Sequence, residues 1–368
     1  MAIDHTRDLL HTTALTQDPT DLKTTTVALF LTRWITHLCA PTFVFLAGTS
    51  AYLMLKNQNN LAETRYFLLT RGLWLMFLEF TVVSFGIWWD IYFRTLLLQV
   101  IFAIGFSFVV LSFLVGIRAN ILGIIGLIII FTHDLAVGLK FENPALNFVY
   151  HLFFSPNGFP INSNWLIITM YPLIPWLGIL LFGFGFGQVF ELNPDKRQKT
   201  LFLTGFITLS IFVALRSYNI YGDFAPWSWQ KNPIFTFLSF INLTKYPPTL
   251  LFTCATLGIT FFILALSDKM NNLFTKILTT YGRVPLFFYV GHWYLIHSLM
   301  FLMVFLQGAW QEVKLGQFSF GRPATGVGLE LPYIYLVWLG VILFFYPLCR
   351  WYGQYKARHK ENKWLSYL

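Results

Sequence analysis

The 368 residues are 56% hydrophobic and 19% aromatic, only 11% are charged, and the mean hydropathy is +0.62. Soluble domains carry about 25% charged residues, so a water-soluble globule is excluded, and continuous apolar runs near the roughly 20 residues of a spanning helix argue for helices over a barrel. The formal charge of +9 would suggest nucleic acid in a soluble chain. Here the lysines and arginines sit in short connections and in the tail, where orientation in a membrane needs them, and no nucleic-acid partner is expected.

Residues 1–33 open the chain, and no cleavable leader is expected, because Met1 to His11 is polar. Nine full spans follow, at 34–55, 67–88, 96–117, 119–139, 166–189, 200–216, 248–267, 284–306 and 331–350, each bounded by charged or Gly/Pro/Asn-rich connections. The fold class expected is all-α, a polytopic helical membrane protein with a single integral-membrane domain over 1–368, no internal repeat and a basic tail at 351–368. The long connections 140–165, 217–247 and 307–330 hold Pro and Trp but few charges. Basic clusters fall on alternate connections: Lys56, Arg65 and Arg71; Arg118; Lys196, Arg197 and Lys199; Lys269, Lys276 and Arg283; then Arg350, Lys356, Arg358, Lys360 and Lys363. The positive-inside rule puts these in the cytoplasm and puts residues 5–33 and the long connections outside. Cys39, Cys254 and Cys349 lie in apolar runs at no metal-like spacing, so neither a disulfide framework nor a metal is expected.

Ionisable groups inside spans are expensive and point to function. Asp4, Arg7, Asp8 and His11 stand at i, i+3, i+4 and i+7, one face of a helix, so Asp8 is placed to orient the His11 imidazole; a solvated helix end with internal ion pairs is the plainer reading. Arg33 and His37 are one turn apart at the mouth of the first full span, with His37 about 6 Å inside. Glu79, mid-span, reads first as a hydrogen bond to another helix. Trp88 and Trp89 read as interface anchors beside a candidate ligand, Asp90, while His133-Asp134 is either a base with its orienting acid or an end cap. His292 and His297 lie five residues apart, about 140° around a helix, so at most one lines a cavity. Lys245, before Tyr246-Pro247-Pro248, is a candidate contact to phosphate or carboxylate. The glycines of Phe182-Gly183-Phe184-Gly185-Phe186-Gly187 read as packing or hinge positions.

Five segments carry a resemblance: Ile3-Asp4-His5-Thr6-Arg7-Asp8, the stretch Arg33 to Gly48, Leu98 to Gly105, Lys245-Tyr246-Pro247-Pro248, and Gly282-Arg283-Val284-Pro285-Leu286-Phe287-Phe288-Tyr289. Over nearly the whole chain they resemble a bacterial branch of the membrane acyltransferases named for the catalytic domain of heparan-α-glucosaminide N-acetyltransferase. The resemblance implies acetyl transfer from acetyl-CoA to a sugar amine or hydroxyl, with a histidine on the extracytoplasmic side as general base. Asp4 takes the place of an asparagine that ends the family's first helix, and His5, His11 and His37 are all possible equivalents of the reactive histidine. Asp4 or Asp8 would orient it. Arg7, Arg33, Asp90, His133, Asp134, Lys245 and His297 are the candidate substrate contacts, and Arg283 is the candidate contact to CoA. The implied setting is a bacterial inner membrane with the site facing the periplasm, and the implied partners are the bilayer, acetyl-CoA and a sugar-like acceptor; a homodimer stays open. Met1 falls where the family's first span should end, so an in-frame upstream half-helix from an Asp-x-x-Arg-Gly-like motif is expected, which would make ten spans. A rival reading is a transporter or permease for a sugar or anionic metabolite, which internal inverted repeats would favour.

Overall fold

The computed structural model describes residues 1–315, 320–359, 361–362 and 365; Lys360 and Lys363 of the basic tail lie outside the described residues. In chain order the helices begin with α1 (Ala2–Leu10), α2 (Val27–Thr36), α3 (Cys39–Gln58) and α4 (Leu61–Leu78), which runs through a π-turn (Glu79–Val83) into α5 (Ser84–Trp88). Strand β1 (Thr95–Leu98) precedes α6 (Val100–Leu114), α7 (Ala119–Thr132) and α8 (Pro144–Phe153); strands β2 (Asn157–Pro160) and β3 (Leu166–Thr169) precede α9 (Leu173–Phe186). The remainder is α10 (Pro194–Tyr218), α11 (Pro233–Ile241), α12 (Leu250–Ser267), α13 (Leu273–Gly282), α14 (Pro285–Leu306) and α15 (Leu331–Arg358).

The protein is thus an all-α polytopic membrane protein. Among the described residues, eight helical segments are long and apolar enough to cross a bilayer, and the shorter apolar α6 occupies the third of the nine expected positions. Three details depart from expectation. Residues 96–98 and 166–169 are strand, not the starts of spans, and β2 pairs antiparallel with β3. The long connections are built rather than plain, with α8 and α11 inside them. The first span is interrupted by a turn at residues 37–38. Helix starts follow local chemistry: Asn143, Asn193 and Asn232 each cap a helix whose next residue is proline, with the asparagine side chain accepting from an amide of the first turn.

Two compact units emerge from the chain's contacts. One comprises Met1–Thr36, Phe80–Leu96 and Met270–Leu368; the other comprises His37–Glu79 and Leu97–Lys269. In the first, α1 packs on α2, α14 and α15, and α5 packs on α14. In the second, α9 is sandwiched between α3 and α7, α4 lies on α6, and α10 lies on α12.

The core of the second unit depends on glycine. A Cβ on Gly48 would stand 2.0 Å from the Leu180 carbonyl oxygen, and one on Gly183 would stand 2.1 Å from that of Phe45, so α3 and α9 touch backbone to backbone. Gly185 meets Gly123 of α7 in the same way, its added Cβ 2.5 Å from the Gly123 Cα. Membrane helices, lacking a hydrophobic drive to associate, gain contact by such close approach, and the glycine repeat at residues 183–187 serves packing as read from sequence. Gly183→Ala is therefore expected to destabilise the fold by about 1–3 kcal/mol, the usual cost of overpacking. Thermal unfolding in detergent checks this against Gly340→Ala on α15, where an added methyl meets nothing within 4 Å.

Candidate functional site

Helix α1 presents two chemically different faces. On one, the Asp4 carboxylate accepts from Arg7 Nη2 at 2.8 Å and from Arg33 Nη1 of α2 at 2.5 Å, and Arg7 Nη2 also reaches Asp8 at 2.5 Å. Two acids and two bases neutralise one another, and only Asp8 is substantially exposed. Removing one member of such a buried set strands the charge of the others.

On a different face of α1, His5 is half-buried against α14. Its ring lies 4.0 Å from that of Trp293 and 5.2 Å from that of His292, centre to centre. His292 is fully buried, and its Nδ1 sits 2.7 Å from the Phe288 carbonyl oxygen. A carbonyl only accepts, so Nδ1 carries the hydrogen and Nε2 keeps its lone pair when the ring is neutral. That Nε2 has no hydrogen-bond partner among the described residues, nor has the buried indole N–H of Trp293. The sequence offers His292 and His297 as alternatives and takes His297 as the candidate contact, and it does not single out Trp293: α14 is apolar all round, and the position of α1 tells which side of it matters. His297, 0% exposed, instead directs Nδ1 to the Gly86 carbonyl at 3.2 Å and packs on Trp89 and Phe301.

The expected Asp8–His11 pair does not form. α1 ends at Leu10, and His11 leaves in extended geometry (ψ 142°) as its C-cap, so the helical spacing stops one residue short. Its Nδ1 meets the Thr13 amide and hydroxyl, at 3.3 and 3.1 Å. Arg322, 2% exposed and invisible as a site residue from sequence, donates to the Leu9 carbonyl at 2.8 Å and the His11 carbonyl at 3.0 Å. These are C-terminal carbonyls of α1, which have no partner within the helix. Burial lowers the Arg322 guanidinium to about 10, so it remains charged at neutral pH. Leu329 pairs with Leu10 and Thr12 through backbone bonds at 2.7 and 3.2 Å, completing a strap over the end of α1.

The other candidates have structural partners. Asp90 takes the Tyr92 and Arg94 amides and the Arg94 side chain, whose Nη2 goes on to the Leu315 carbonyl. Burial opposes ionisation of Asp90, yet the Arg94 bonds outweigh it and hold the carboxyl below its ordinary range. Arg283 is exposed at the end of α13. In the second unit, His37 is buried edge-on against Phe252, and Lys245 is buried over the ring of Tyr246. His133 faces carbonyl oxygens with both nitrogens, Ile129 at 2.9 Å through Nδ1 and Pro248 at 2.9 Å through Nε2, and its Nε2 also lies 3.1 Å from Asp134 Oδ1. Asp134 uses its other oxygen, Oδ2, to accept the Leu250 amide at the start of α12, so it is paired with His133 and caps a different helix from its own. Glu79 accepts the Phe102 amide of α6 at 3.0 Å, the interhelical bond read from sequence.

A polytopic helical membrane protein with a half-buried histidine between aromatic and imidazole rings thus defines the class. The catalytic-domain family of heparan-α-glucosaminide N-acetyltransferase matches residues 5–226, and the chain belongs to that family of membrane acetyltransferases. No curated protein and no solved structure matches the chain.

Two outcomes follow from the strap. Arg322→Ala removes two charge-assisted bonds and is expected to cost about 2–5 kcal/mol, read as a lower unfolding temperature. Burial depresses the His11 pKa below 6.5, against an opposing pull from Glu330, and Arg7 and Arg322 add to the lowering. The unfolded state then binds more protons, so stability is full above pH 6.5 and is lost as pH falls through the lowered folded value. A pH series of unfolding temperatures should show this slope, and His11→Asn should flatten it.

Proposed function

We propose that the protein transfers acetyl from acetyl-CoA to an extracytoplasmic sugar amine or hydroxyl, with His5 as general base. The observation that carries this reading is the seat of His5: half-buried against the Trp293 and His292 rings, in a member of an acetyltransferase family. As the acceptor attacks the thioester carbonyl, His5 takes its proton. A C–N or C–O bond forms, the C–S bond breaks, and the CoA sulfur leaves with the proton His5 took. Trp293 N–H, a donor with no other partner among the described residues, is the group we assign to the oxyanion. The ion network of Asp4, Arg7, Asp8 and Arg33 holds α1 in place rather than touching the reacting atoms. A covalent acetyl-histidine on His5 is the variant of the same route.

The alternating basic connections support a cytoplasmic tail and a bacterial inner-membrane setting with the acceptor on the periplasmic side. Cytoplasmic acetyl-CoA then meets the basic face first, where exposed Arg283 is the proposed phosphate contact. Purified protein incubated with acetyl-CoA and a panel of amino sugars should release free CoA. His5→Ala should lower that turnover by about two to four orders of magnitude, while His37→Ala and His11→Asn, whose rings are engaged elsewhere, should stay within about tenfold of the parent protein. Release that survives His5→Ala in a folded protein would overturn the assignment. Uptake of unmodified sugar into proteoliposomes with no CoA release would favour a transporter.

A further inference from the structure

We propose that Lys245 is the centre of an oxyanion-binding site in the second unit, one that takes the carboxylate or phosphate of a sugar-sized ligand. This goes beyond acetyl transfer and does not rest on it, and residue 245 lies outside the matched stretch 5–226.

The buried cations, set side by side, carry it. Among the described residues the buried lysines and arginines are Arg7, Arg216, Lys245 and Arg322. The three arginines all have oxygens at hydrogen-bond distance. Arg7 has the Asp4 and Asp8 carboxylates. Arg216 has the carbonyls of Ala225, Ser239, Phe240 and Asn242, and Arg322 has those of Leu9 and His11. Lys245 is 8% exposed, yet among the described residues no carboxylate pairs with its ammonium and no oxygen accepts from it. What it meets is the ring of Tyr246, whose centre lies 5.1 Å from Nζ. A ring face attracts a cation but supplies no counter-charge. The acid tied to the adjacent residue, Asp223, is engaged elsewhere: it accepts the Thr244 amide and hydroxyl and the Thr249 hydroxyl, and stands 4.0 Å from Arg216. A buried charge without a counter-charge is costly, and such groups mark places where a partner arrives.

The surroundings say what that partner is. Tyr246 lies edge to face with Tyr171, ring centres 5.5 Å apart, and the Tyr171 ring lies 4.9 Å from that of Trp176. Trp176 is 0% exposed, and its indole N–H has no acceptor among the described residues. The ammonium and the indole are both donors, a set that suits an oxyanion and not a cation. An ammonium is a compact charge that binds phosphate and carboxylate oxygens alike, and flat aromatic surfaces beside one charged group suit the apolar face of a small ligand. The base of the lysine is fixed as well: Asp223 holds Thr244 and Thr249, and the Thr249 hydroxyl accepts the Phe252 amide to cap α12. In the topology proposed above, this connection is extracytoplasmic, so the ligand comes from that side.

The test uses the full-length protein in detergent at constant ionic strength, with glucose 6-phosphate, glucuronate and glucose as probes and calorimetry as the readout. We expect the phosphate probe, the carboxylate probe or both to bind, whichever binds naming the group the site takes, and neutral glucose to bind at least about tenfold more weakly, the worth of one charge-assisted bond. Lys245→Met keeps a stem of similar length and removes the charge; it should weaken anion binding at least about tenfold, and Lys245→Arg should regain most of that loss. The unfolding temperature of Lys245→Met without ligand should equal or exceed that of the parent protein, because the change removes an unpaired buried charge. Labelling in the parent protein needs no variant to fold: acetylation of Lys245 by an N-hydroxysuccinimide ester, read by mass spectrometry, should slow about tenfold at a probe concentration about ten times Kd, while exposed Lys196 and Lys199 label as before. Glucose binding as well as the two anions, unchanged binding in a folded Lys245→Met protein, or labelling of Lys245 that the bound anion does not slow would each overturn the site. A lowered unfolding temperature in Lys245→Met together with unslowed labelling would mark the lysine as structural.

Discussion

A buried polar group in a membrane protein must find its partner inside the protein, because the bilayer core offers none. That requirement organises each unit separately. In the first, the Arg33–Asp4–Arg7–Asp8 chain of ion pairs ties α1 to α2, and Arg322 with Leu329 ties down its C-terminal end. With these ties in place, its other face sets His5 against α14. Charge thus supplies the fixing, and a neutral face supplies the chemistry.

The same requirement separates structural histidines from the candidate base. His133 has an acceptor at each nitrogen, and the His11 Nδ1 is engaged by Thr13. Among the described residues, the α1–α14 contact in the first unit combines partial exposure of one imidazole with a bare, directed lone pair on another. Burial does not discriminate among these rings, since His133, His292 and His297 are all enclosed, and the Nε2 of His297 is as unpartnered as that of His292; what differs is that His292 packs against His5.

Much of this was legible in the sequence. Hydropathy and basic clusters give the helical class and most span positions, because each signal is local. The interhelical bond of Glu79, the end-cap option for Asp134 and the packing role of Gly183 and Gly185 are equally local in origin. What failed was also physical. Helical spacing put His11 beside Asp8, but α1 ends at Leu10 and the next residue turns away. The strands at 95–98 and 166–169 are apolar runs that hydropathy cannot tell from helix. The choice between His292 and His297 could not be made because α14 has no polar face to mark its inner side, and Arg322 escaped because a buried arginine in a long connection has no pattern around it.

Arg216 carries a consequence for how the second unit is made. Its guanidinium, 1% exposed at the end of α10, is wrapped by four carbonyl oxygens, those of Ala225, Ser239, Phe240 and Asn242. Every one belongs to chain synthesised later than the helix that bears the charge. When α10 enters the membrane, those oxygens do not yet exist, and water at the interface must solvate the cation in their stead. The helix therefore cannot settle to its final depth until some twenty-five further residues have emerged and folded back. The final seating of α10 and the closure of the connection after it are thus coupled through one buried cation.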